Sequence, residues 1–301
     1  MRAVTYHEYG DPSVLRVEDV PEPHAGPGEV RIRVEAASVN PIDVKLRAGY
    51  LKEMMPLQFP KIPGRDAAGV VDEVGDGVAG VAVGDRVFGN SAVGTTAEYA
   101  VLYEWAPVPD AWTMEQAAAV GVAAETAVRV LNELKVGAGS TLLVEGASGG
   151  VGSALVQFAV ARGATVIGTA GEGNHAYLRS LGATPTTYGP GLADRVSALA
   201  PAGVDVVADV AGAGSLPDLV KIAPTPAAVV SIADPTAQQH GARLSISPDV
   251  ATPASLVEAA ELGAAGAYVP HIEATYPLDR IAEAHARSET GHARGKLVIT
   301  I

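Results

Sequence analysis

The sequence predicts an α/β protein in which a β-rich part is joined to a doubly wound parallel sheet. Up to about Trp112, apolar and polar residues alternate in short runs such as Val30–Ala36, and this period of two is typical of half-buried strands. From about Met114 to Gly266, helical periods alternate with short buried runs. Such alternation predicts a parallel sheet with helices on both of its faces.

The β-rich part is divided by turn-forming pairs, which suits a twisted antiparallel sheet. These pairs are Pro27-Gly28, Asp76-Gly77 and Gly84-Asp85. Strand and helix signals return from Tyr268 to Ile301, and we expect this segment to fold back onto the β-rich part. The predicted domains are therefore a β-rich domain of residues 1–118 and 267–301, and a parallel-sheet domain of residues 119–266.

Five buried strands are predicted in the parallel-sheet domain, each from a short apolar run. They are Thr141–Val144, Thr165–Gly168, Val204–Asp209, Ala227–Ile232 and Arg243–Ile246. We find no internal repeat and no low-complexity linker, so we expect the two domains to be joined by short helices or turns.

A glycine turn, Gly146-x-x-Gly149-x-x-Gly152, lies between the first two of these strands. A pyrophosphate requires backbone without a Cβ in the way and unpaired N–H groups at the start of a helix. The spacing differs by one residue from the commoner G-x-G-x-x-G, and alone it would equally fit a tight strand–helix turn. Its place between a buried strand and an apolar helix predicts a dinucleotide-binding βαβ unit. The predicted cofactor contacts in this turn are Gly146, Ala147, Ser148, Gly149, Gly150, Val151 and Gly152.

The composition limits the classes of function. The chain has 301 residues, 48% of them hydrophobic, which is enough for one large or two moderate cores. Its formal net charge is −13 and it has no cluster of Lys and Arg, so nucleic acid is not an expected partner. No apolar run reaches membrane-spanning length and the first residues form a strand-like pattern rather than a leader, so we expect a soluble cytoplasmic protein. Cysteine is absent, which leaves no thiolate nucleophile, disulfide or cysteine zinc ligand.

Over nearly its whole length the chain resembles the zinc-independent quinone oxidoreductases and alkenal/enone reductases of the medium-chain dehydrogenase/reductase family. The resemblance implies a GroES-like catalytic domain joined to a Rossmann nucleotide-binding domain, with the active site in the cleft between them. It also implies a homodimer. The matching segments are Ser38–Tyr50, Pro63–Val71, Val83–Gly89, Gly146–Gly152, Leu178–Ala183, Ala284-His285 and Gly295–Val298.

The chain differs from the zinc-dependent members of that family at the metal ligands. It has Asn40 where they have a Cys, Arg65 where they have a His, and only residues 90–94 where they have a four-Cys lobe. Neither zinc site has its ligands, so we expect no metal, and an Arg65–Asp66 ion pair is expected to fill the space. Without a Lewis acid, a quinone or an α,β-unsaturated carbonyl is a better hydride acceptor than an isolated ketone, because the developing charge is delocalised.

Three residues near the start of the predicted helix after Asn40 are candidates for catalysis. Asn40 followed by Pro41 is typical of a helix N-cap, and the resemblance also places the Asn40 amide beside the nicotinamide and the acceptor. Asp43 is expected to complete a capping box. Lys45 and Tyr50 are candidates for stabilising an enolate oxygen or relaying a proton; the alternatives are a solvated lysine and a tyrosine at the edge of the core.

The cofactor is expected to be NADPH, with NADH as the alternative. The second strand ends in Thr169-Ala170-Gly171 without the carboxylate that would hold both ribose hydroxyls of NADH. The basic residue usual in NADPH-dependent relatives is missing, so neutralisation of the 2′-phosphate falls to His175, Arg179, Arg294 or Lys296, each of which could equally be a surface charge. The full set of further cofactor candidates is Thr126, Thr169, Ala170, Gly171, Asn174, Tyr188, Val210, Ala211, Ile232, Ala233 and Lys296.

Two functions follow from these residues. The first is a zinc-free, NADPH-dependent oxidoreductase that transfers a hydride to quinones or α,β-unsaturated carbonyls. The second is a non-catalytic NADPH-binding protein of the same fold, structural or redox-reporting, as in the crystallin branch, because a fold alone does not prove activity.

Overall fold

The structure is a computed structural model that describes residues 1–246 and 253–301. In chain order, its strands and helices are β1 Arg2–Thr5, β2 Arg16–Asp19, β3 Val30–Val39, α1 Pro41–Arg47, β4 Asp66–Val74, β5 Arg86–Asn90, β6 Tyr99–Leu102, β7 Glu104–Pro107, α2 Met114–Ala118, α3 Gly121–Glu133, β8 Thr141–Glu145, α4 Gly150–Ala161, β9 Thr165–Thr169, α5 His175–Ser180, β10 Thr184–Thr186, α6 Leu192–Leu199, β11 Val206–Asp209, α7 Leu216–Ile222, β12 Val229–Ser231, β13 Arg243–Leu244, α8 Pro253–Ala264, β14 Ile272–Pro277, α9 Ile281–Glu289 and β15 Lys296–Thr300.

The described residues form two compact units. The first unit contains Met1–Val122 and the described residues from Pro253 onward, and the second contains residues 123–246. The prediction placed residues 119–266 in the parallel-sheet domain; of these, residues 247–252 lie outside the described residues.

The first unit is built around the long strand β3, which pairs antiparallel with β4, β6 and β15. Its main sheet has the order β14-β15-β3-β4-β5-β7, and β1 and β2 form a separate antiparallel pair. In the first part of β3 every second side chain is buried, namely Val30, Ile32 and Val34, as expected for a half-buried strand. The pairing of β15 with β3 adds the last strand of the chain to this sheet.

Helix α8 belongs to the first unit, whereas the sequence-based boundary at Gly266 placed it in the parallel-sheet domain. Its Gly263 lies against the indole of Trp112, where an added Cβ would come within 2.2 Å of the ring. The Trp112 Nε1–H donates to the carbonyl of Tyr268 at 3.1 Å, and the Trp112 ring packs edge-on against Phe88 and Tyr268. This aromatic contact is long-range, so local periodicity carries no sign of it.

The second unit is a six-stranded parallel sheet of order β10-β9-β8-β11-β12-β13. The chain runs outward from β8 to one edge and from β11 to the other, so the predicted doubly wound parallel sheet is confirmed. Two details differ from the prediction. Strand β10 has only three residues, including Pro185, and is too short to give an alternating pattern; the predicted strand Ala227–Ile232 is shortened because residues 226–228 form a 3-10 helix.

Helix α4 is apolar on all sides because it lies in the core of the second unit. Residues 152–159 of this helix are all buried, with Phe158 and Leu155 fully enclosed. Burying each such side chain stabilises the fold by about 1.5–3 kcal/mol. No helix among the described residues is long and apolar enough to cross a membrane.

Candidate functional site

The glycine turn joins β8 to α4 directly. Gly146 has φ +83°, a left-handed conformation that favours glycine. A Cβ on Gly152 would lie 2.2 Å from the carbonyl oxygen of Gly146, so only glycine lets the first turn of α4 pack against the end of β8. The predicted strand–turn–helix geometry is therefore present.

The start of α4 offers unpaired backbone donors. Gly149 is the N-cap of this helix and supplies no side-chain cap. The N–H groups of Gly150, Val151 and Gly152 have no partner within the helix, and no other group among the described residues accepts a hydrogen bond from them. A Cβ on Gly149 would contact only the Gly146 carbonyl oxygen, at 3.7 Å. The open approach and the free donors fit a pyrophosphate group.

A buried carboxyl lies directly before this turn. Glu145, at the end of β8, is 2% exposed and accepts hydrogen bonds from the hydroxyls of Thr169 at 2.6 Å and Ser215 at 3.0 Å. Thr169 Oγ1 in turn accepts the N–H of Gly146 at 3.1 Å. Burial raises the pKa of the Glu145 carboxyl, and the charge of Asp209 adds to this, while the two hydroxyls act in the opposite direction.

Asp209 ends the neighbouring strand β11 and is paired in register with Glu145. It is 1% exposed and accepts three hydrogen bonds, from the N–H groups of Ala211 and Gly212 and from the hydroxyl of Ser231. From the sequence, Asp209 was predicted as the end of a strand, whereas Glu145, Ser215 and Ser231 were missed. The available signal was that β8, β9, β11 and β12 each end in a polar residue.

The loop after β11 meets the glycine turn, and the loop after β12 meets the loop after β11. The predicted cofactor contacts in these two loops are Val210, Ala211, Ile232 and Ala233. A Cβ on Gly146 would lie 3.0 Å from the Cβ of Ala211, and one on Gly212 would lie 2.7 Å from the Cβ of Ala233. The N–H of Val210 donates to the Glu145 carbonyl and that of Ile232 to the Asp209 carbonyl. These loops gather at the carboxyl edge of the sheet, where ligands bind in doubly wound folds.

The residues after β9 also reach the glycine turn. Asn174 Nδ2 donates to Ser148 Oγ at 3.4 Å, and a His175 ring nitrogen lies 3.3 Å from the carbonyl oxygen of Ala170. Thr169 and Ala170 are buried, and Gly171 is partly exposed. The structure thus brings this predicted group of residues together with the turn.

Two further cofactor candidates have no hydrogen bond to the glycine turn among the described residues. Tyr188 is 56% exposed in the loop before α6, where the Arg195 guanidinium donates to the carbonyls of residues 187–190. Thr126 is buried in α3 and its hydroxyl donates to Glu125 at 3.3 Å. For Thr126 the contacts are those of ordinary helix packing.

A second polar cluster lies in the first unit, around Asn40. The Asn40 amide nitrogen donates to Asp66 Oδ1 at 2.7 Å and to Ser38 Oγ at 3.3 Å, and its oxygen accepts from Lys296 Nζ at 2.5 Å. Asn40 is 3% exposed. Its backbone is the N-cap of α1, as predicted, but both amide hydrogens are engaged within the protein. In this arrangement the amide has no hydrogen left for a substrate oxygen.

The expected Arg65–Asp66 ion pair is wrong. Asp66 is fully buried and accepts hydrogen bonds from Ser38 Oγ, Asn40 Nδ2 and the backbone N–H of Val122, with Lys296 Nζ 3.9 Å from its second oxygen. Within the described parts of the chain, no hydrogen bond or ion pair joins Arg65 to Asp66.

Lys296, a predicted partner of the cofactor phosphate, has its ammonium in the polar cluster around Asn40. Lys296 begins β15 and is 7% exposed, and its ammonium is held by Asn40 and Asp66 in the first unit. The register of β15 against β3 turns this side chain inward, so a residue that looks like a terminal surface charge compensates a buried carboxylate instead.

Asp43 completes one half of the predicted capping box, because its carboxylate accepts the backbone N–H of Asn40 at 2.8 Å. It is 3% exposed. Burial raises the pKa of the Asp43 carboxyl to about 6, with a further contribution from Asp66, although the Asn40 N–H, Lys296 and Arg65 act in the opposite direction.

Among the described residues, the side chains of Lys45 and Tyr50 form no hydrogen bond with the Asn40 cluster. They line a shallow depression of about 460 Å³ in the first unit. Tyr50 is 78% exposed, which overturns its alternative reading as a tyrosine at the edge of the core. The depression is completed by Gly10, Asp11, Pro41, Val44, Ala48, Ser288 and Glu289. Within residues 1–246 and 253–301, no group of three or more His, Asp or Glu side chains is placed to hold a metal ion.

Comparison with known proteins agrees with this two-unit architecture. The profile of the alcohol dehydrogenase GroES-like domain matches residues 26–129, and that of the zinc-binding dehydrogenase domain matches residues 181–299. The chloroplast envelope quinone oxidoreductase homolog of Arabidopsis thaliana is 32% identical over 335 residues, covering 99% of this chain and 98% of that protein.

Other relatives match over a shorter or more divergent alignment. The quinone oxidoreductase of Rattus norvegicus is 42% identical over 177 residues, so the chain spans about half the length of that curated relative, 53%. The Escherichia coli quinone oxidoreductase complexed with NADPH superimposes with a TM-score of 0.86 at 25% identity, covering 100% of both chains.

The two units and their glycine turn define the dehydrogenase class that combines a GroES-like domain with a nucleotide-binding domain. The chain belongs to the medium-chain dehydrogenase/reductase family, in which the relatives described above are quinone oxidoreductases.

Proposed function

We propose that this chain is an NADPH-dependent oxidoreductase that transfers a hydride to quinones, and that α,β-unsaturated carbonyls are accepted as well. The observation that carries the proposal is the set of unpaired N–H groups at Gly150, Val151 and Gly152, approached through a turn without side chains. The names of the rat, Arabidopsis and Escherichia coli relatives support the reaction class.

The choice of NADPH over NADH is supported by the end of β9. Thr169, Ala170 and Gly171 supply no carboxylate to the ribose, and an added Cβ on Gly171 would meet nothing within 4 Å, so space is open there. Since Lys296 is committed to the first unit, the cations that remain near this strand end are His175 and the exposed Arg179. Two cations, one of them a histidine, predict a modest preference for NADPH, with NADH also used.

Different groups of the chain bind the cofactor, donate to the developing charge and position the donors. When bound, the nicotinamide supplies the hydride, and the start of α4 holds its pyrophosphate. Lys45 and Tyr50 present an ammonium and a phenol that can donate to the oxygen on which charge develops. The cluster of Asn40, Asp66 and Lys296 fixes the start of α1, the helix that carries Lys45, and so acts by positioning.

The experiment is oxidation of NADPH and of NADH by the purified protein with 1,4-benzoquinone, acrolein or acetone as acceptor. Turnover with the two conjugated acceptors and none with acetone supports the proposal. Equal turnover with acetone contradicts the preference for conjugated acceptors.

The second candidate function is the non-catalytic one. It is favoured by the Asn40 amide, which has all of its hydrogens engaged inside the protein. Tight binding of NADPH without oxidation in the presence of any of the three acceptors would favour this function. The homodimer implied by the family resemblance stays a prediction, and sedimentation of the purified chain checks it.

A further inference from the structure

Two buried carboxyl groups lie side by side beneath the glycine turn. Glu145 and Asp209 are register partners on adjacent parallel strands and are 2% and 1% exposed. Within the described parts of the chain, no Lys, Arg or His forms a hydrogen bond or ion pair with either one. Two negative charges on neighbouring strands that are both shielded from water repel each other strongly.

The hydrogen bonds distinguish the two carboxyl groups. Asp209 accepts two backbone N–H groups and one hydroxyl, a set that stabilises a carboxylate. Glu145 has only the hydroxyls of Thr169 and Ser215, and a hydroxyl can donate to a carboxylate or accept from a carboxylic acid. Glu145 is therefore the member of the pair that can take up a proton without losing its partners.

The groups facing Glu145 set its affinity for that proton. From β11 it faces the Asp209 carboxylate, while β9 and the residue before α7 contribute only the hydroxyls of Thr169 and Ser215. Burial and the charge of Asp209 both raise the pKa of Glu145. No basic group offsets these effects among its partners.

Glu145 is coupled to the cofactor cradle through one bridging hydroxyl. The N–H of Gly146 donates to Thr169 Oγ1, which donates to Glu145 Oε2. A dinucleotide at the start of α4 would bring two further negative charges to the turn that follows Glu145 directly. Since an anion favours the neutral form of a neighbouring carboxyl, pyrophosphate and proton must bind with positive coupling.

We propose that Glu145 is an affinity-determining residue of the dinucleotide site, which takes up one proton from solvent when the cofactor binds and holds it as a neutral acid while the cofactor is bound. This inference rests on the proposed function. It makes the affinity for the cofactor fall as the pH rises, by at most about tenfold per pH unit for a single linked proton.

The test is calorimetric titration of the full chain with NADPH and with NADH between pH 6 and 9, each in two buffers of different ionisation enthalpy. The wild-type protein should take up a fraction of a proton that rises toward one, and its Kd should rise with pH. Glu145→Gln should show no uptake from this site and a flat affinity, and at pH 9 it should bind more tightly than the wild type. The 2′-phosphate of NADPH titrates on its own, and this contribution is the same in both proteins.

Two further variants keep the test decisive. Asp194→Asn removes an exposed carboxylate of α6 in the same unit and should leave the pH dependence of the wild type unchanged. Asp209→Asn removes the repelling charge, so the window of proton uptake should move to lower pH even if Glu145→Gln does not fold.

Three outcomes would count against the inference. A wild-type Kd that is independent of pH without proton uptake overturns it, and so does a Glu145→Gln protein with the wild-type pH profile. Failure of the wild type to bind either nucleotide at any pH overturns the proposed function as well, and is recognised by the absence of binding heat rather than by its pH dependence.

Discussion

Lys296 donates to the amide oxygen of Asn40 and lies 3.9 Å from the carboxylate of Asp66, joining the start of β15 to the end of β3 and the start of β4. The residues at the two ends of the Lys296–Asn40 hydrogen bond are 256 positions apart in the sequence. This buried charge pair thus ties the C-terminal strand to the β-rich part that contains the first 122 residues.

Replacing Lys296 should destabilise the protein strongly. In Lys296→Met the Asp66 carboxylate remains buried without a cation, and removing one partner of a buried pair costs about 3–5 kcal/mol. The free energy of unfolding is measured by urea titration. Lys221→Met, which breaks the exposed pair with Asp218, is the control and should change stability by less than about 0.5 kcal/mol. Equal losses in the two variants would contradict the structural assignment.

A charge placed at the N-cap of α4 should abolish cofactor binding without unfolding the protein. Gly149→Asp supplies a good N-cap residue at a position with open space, but its carboxylate competes with the pyrophosphate. We expect NADPH affinity to fall by more than about tenfold. Gly149→Asn has nearly the same size without the charge, and it should retain most of the affinity. Fluorescence titration with NADPH distinguishes the two, and equal loss in both would point to steric rather than electrostatic exclusion.

Gly152 and Gly171 differ in the room they leave for a side chain. Gly152→Ala forces a Cβ against the Gly146 carbonyl and should cost about 1–3 kcal/mol of stability, because the helix must move away from β8. Gly171→Ala meets nothing within 4 Å and serves as the matched variant. Thermal unfolding of both proteins measures the difference, and similar melting temperatures would be the contrary result.

Asp43 should make stability fall as the pH rises. Its folded pKa of about 6 is above the ordinary value of 3.8, so the folded state binds the proton more tightly than the unfolded state does. The stabilisation is fully present below pH 3.8 and is lost as the pH rises through about 6. Asp43→Asn keeps an acceptor for the Asn40 N–H and removes this titration. The stability of the variant relative to wild type, from urea unfolding at pH 4 to 7, should therefore increase with pH; a constant difference would contradict the shifted pKa.

Lys45 should contribute to turnover rather than to stability. Lys45→Met removes the ammonium from the depression beside Tyr50, and loss of a donor to developing negative charge lowers kcat by about 100-fold. Lys52→Met removes an exposed cation a few residues further on and is the control. Steady-state kinetics with 1,4-benzoquinone checks both, and an unchanged kcat for Lys45→Met would remove this residue from the catalytic set.

The sequence predicted those parts of the fold that local pattern determines. The run from Thr141 through the glycine turn to α4 was predictable because a buried strand, a turn without side chains and an apolar helix each leave a local signature. Strand β10 was missed because three residues with a proline carry no period. Helix α8 was assigned to the wrong unit because its partner, Trp112, is remote in sequence.

In the candidate site, too, the features set by local sequence pattern were predicted and those set by remote contacts were not. The residues of the turn and the strand ends were predicted from their positions, whereas the partner of Asp66 was not, because strand register decides that Lys296 and not Arg65 faces it. Glu145 was not singled out, because the predicted strand ended one residue earlier, at Val144. A single buried glutamate has no spacing rule, so its role emerges only when Asp209 and Thr169 are seen beside it.

The pairing of β15 with β3 sets an order for folding during synthesis. The six described strands of the parallel sheet in the second unit lie between β3 and β15 in the sequence, so they leave the ribosome before β15 does. They can therefore assemble while the main sheet of the first unit still lacks β15, one of its inner strands. Until β15 arrives, Asp66 has no ammonium and the edge of β3 is open. The nascent β-rich part is therefore the portion of the chain that most needs protection from aggregation.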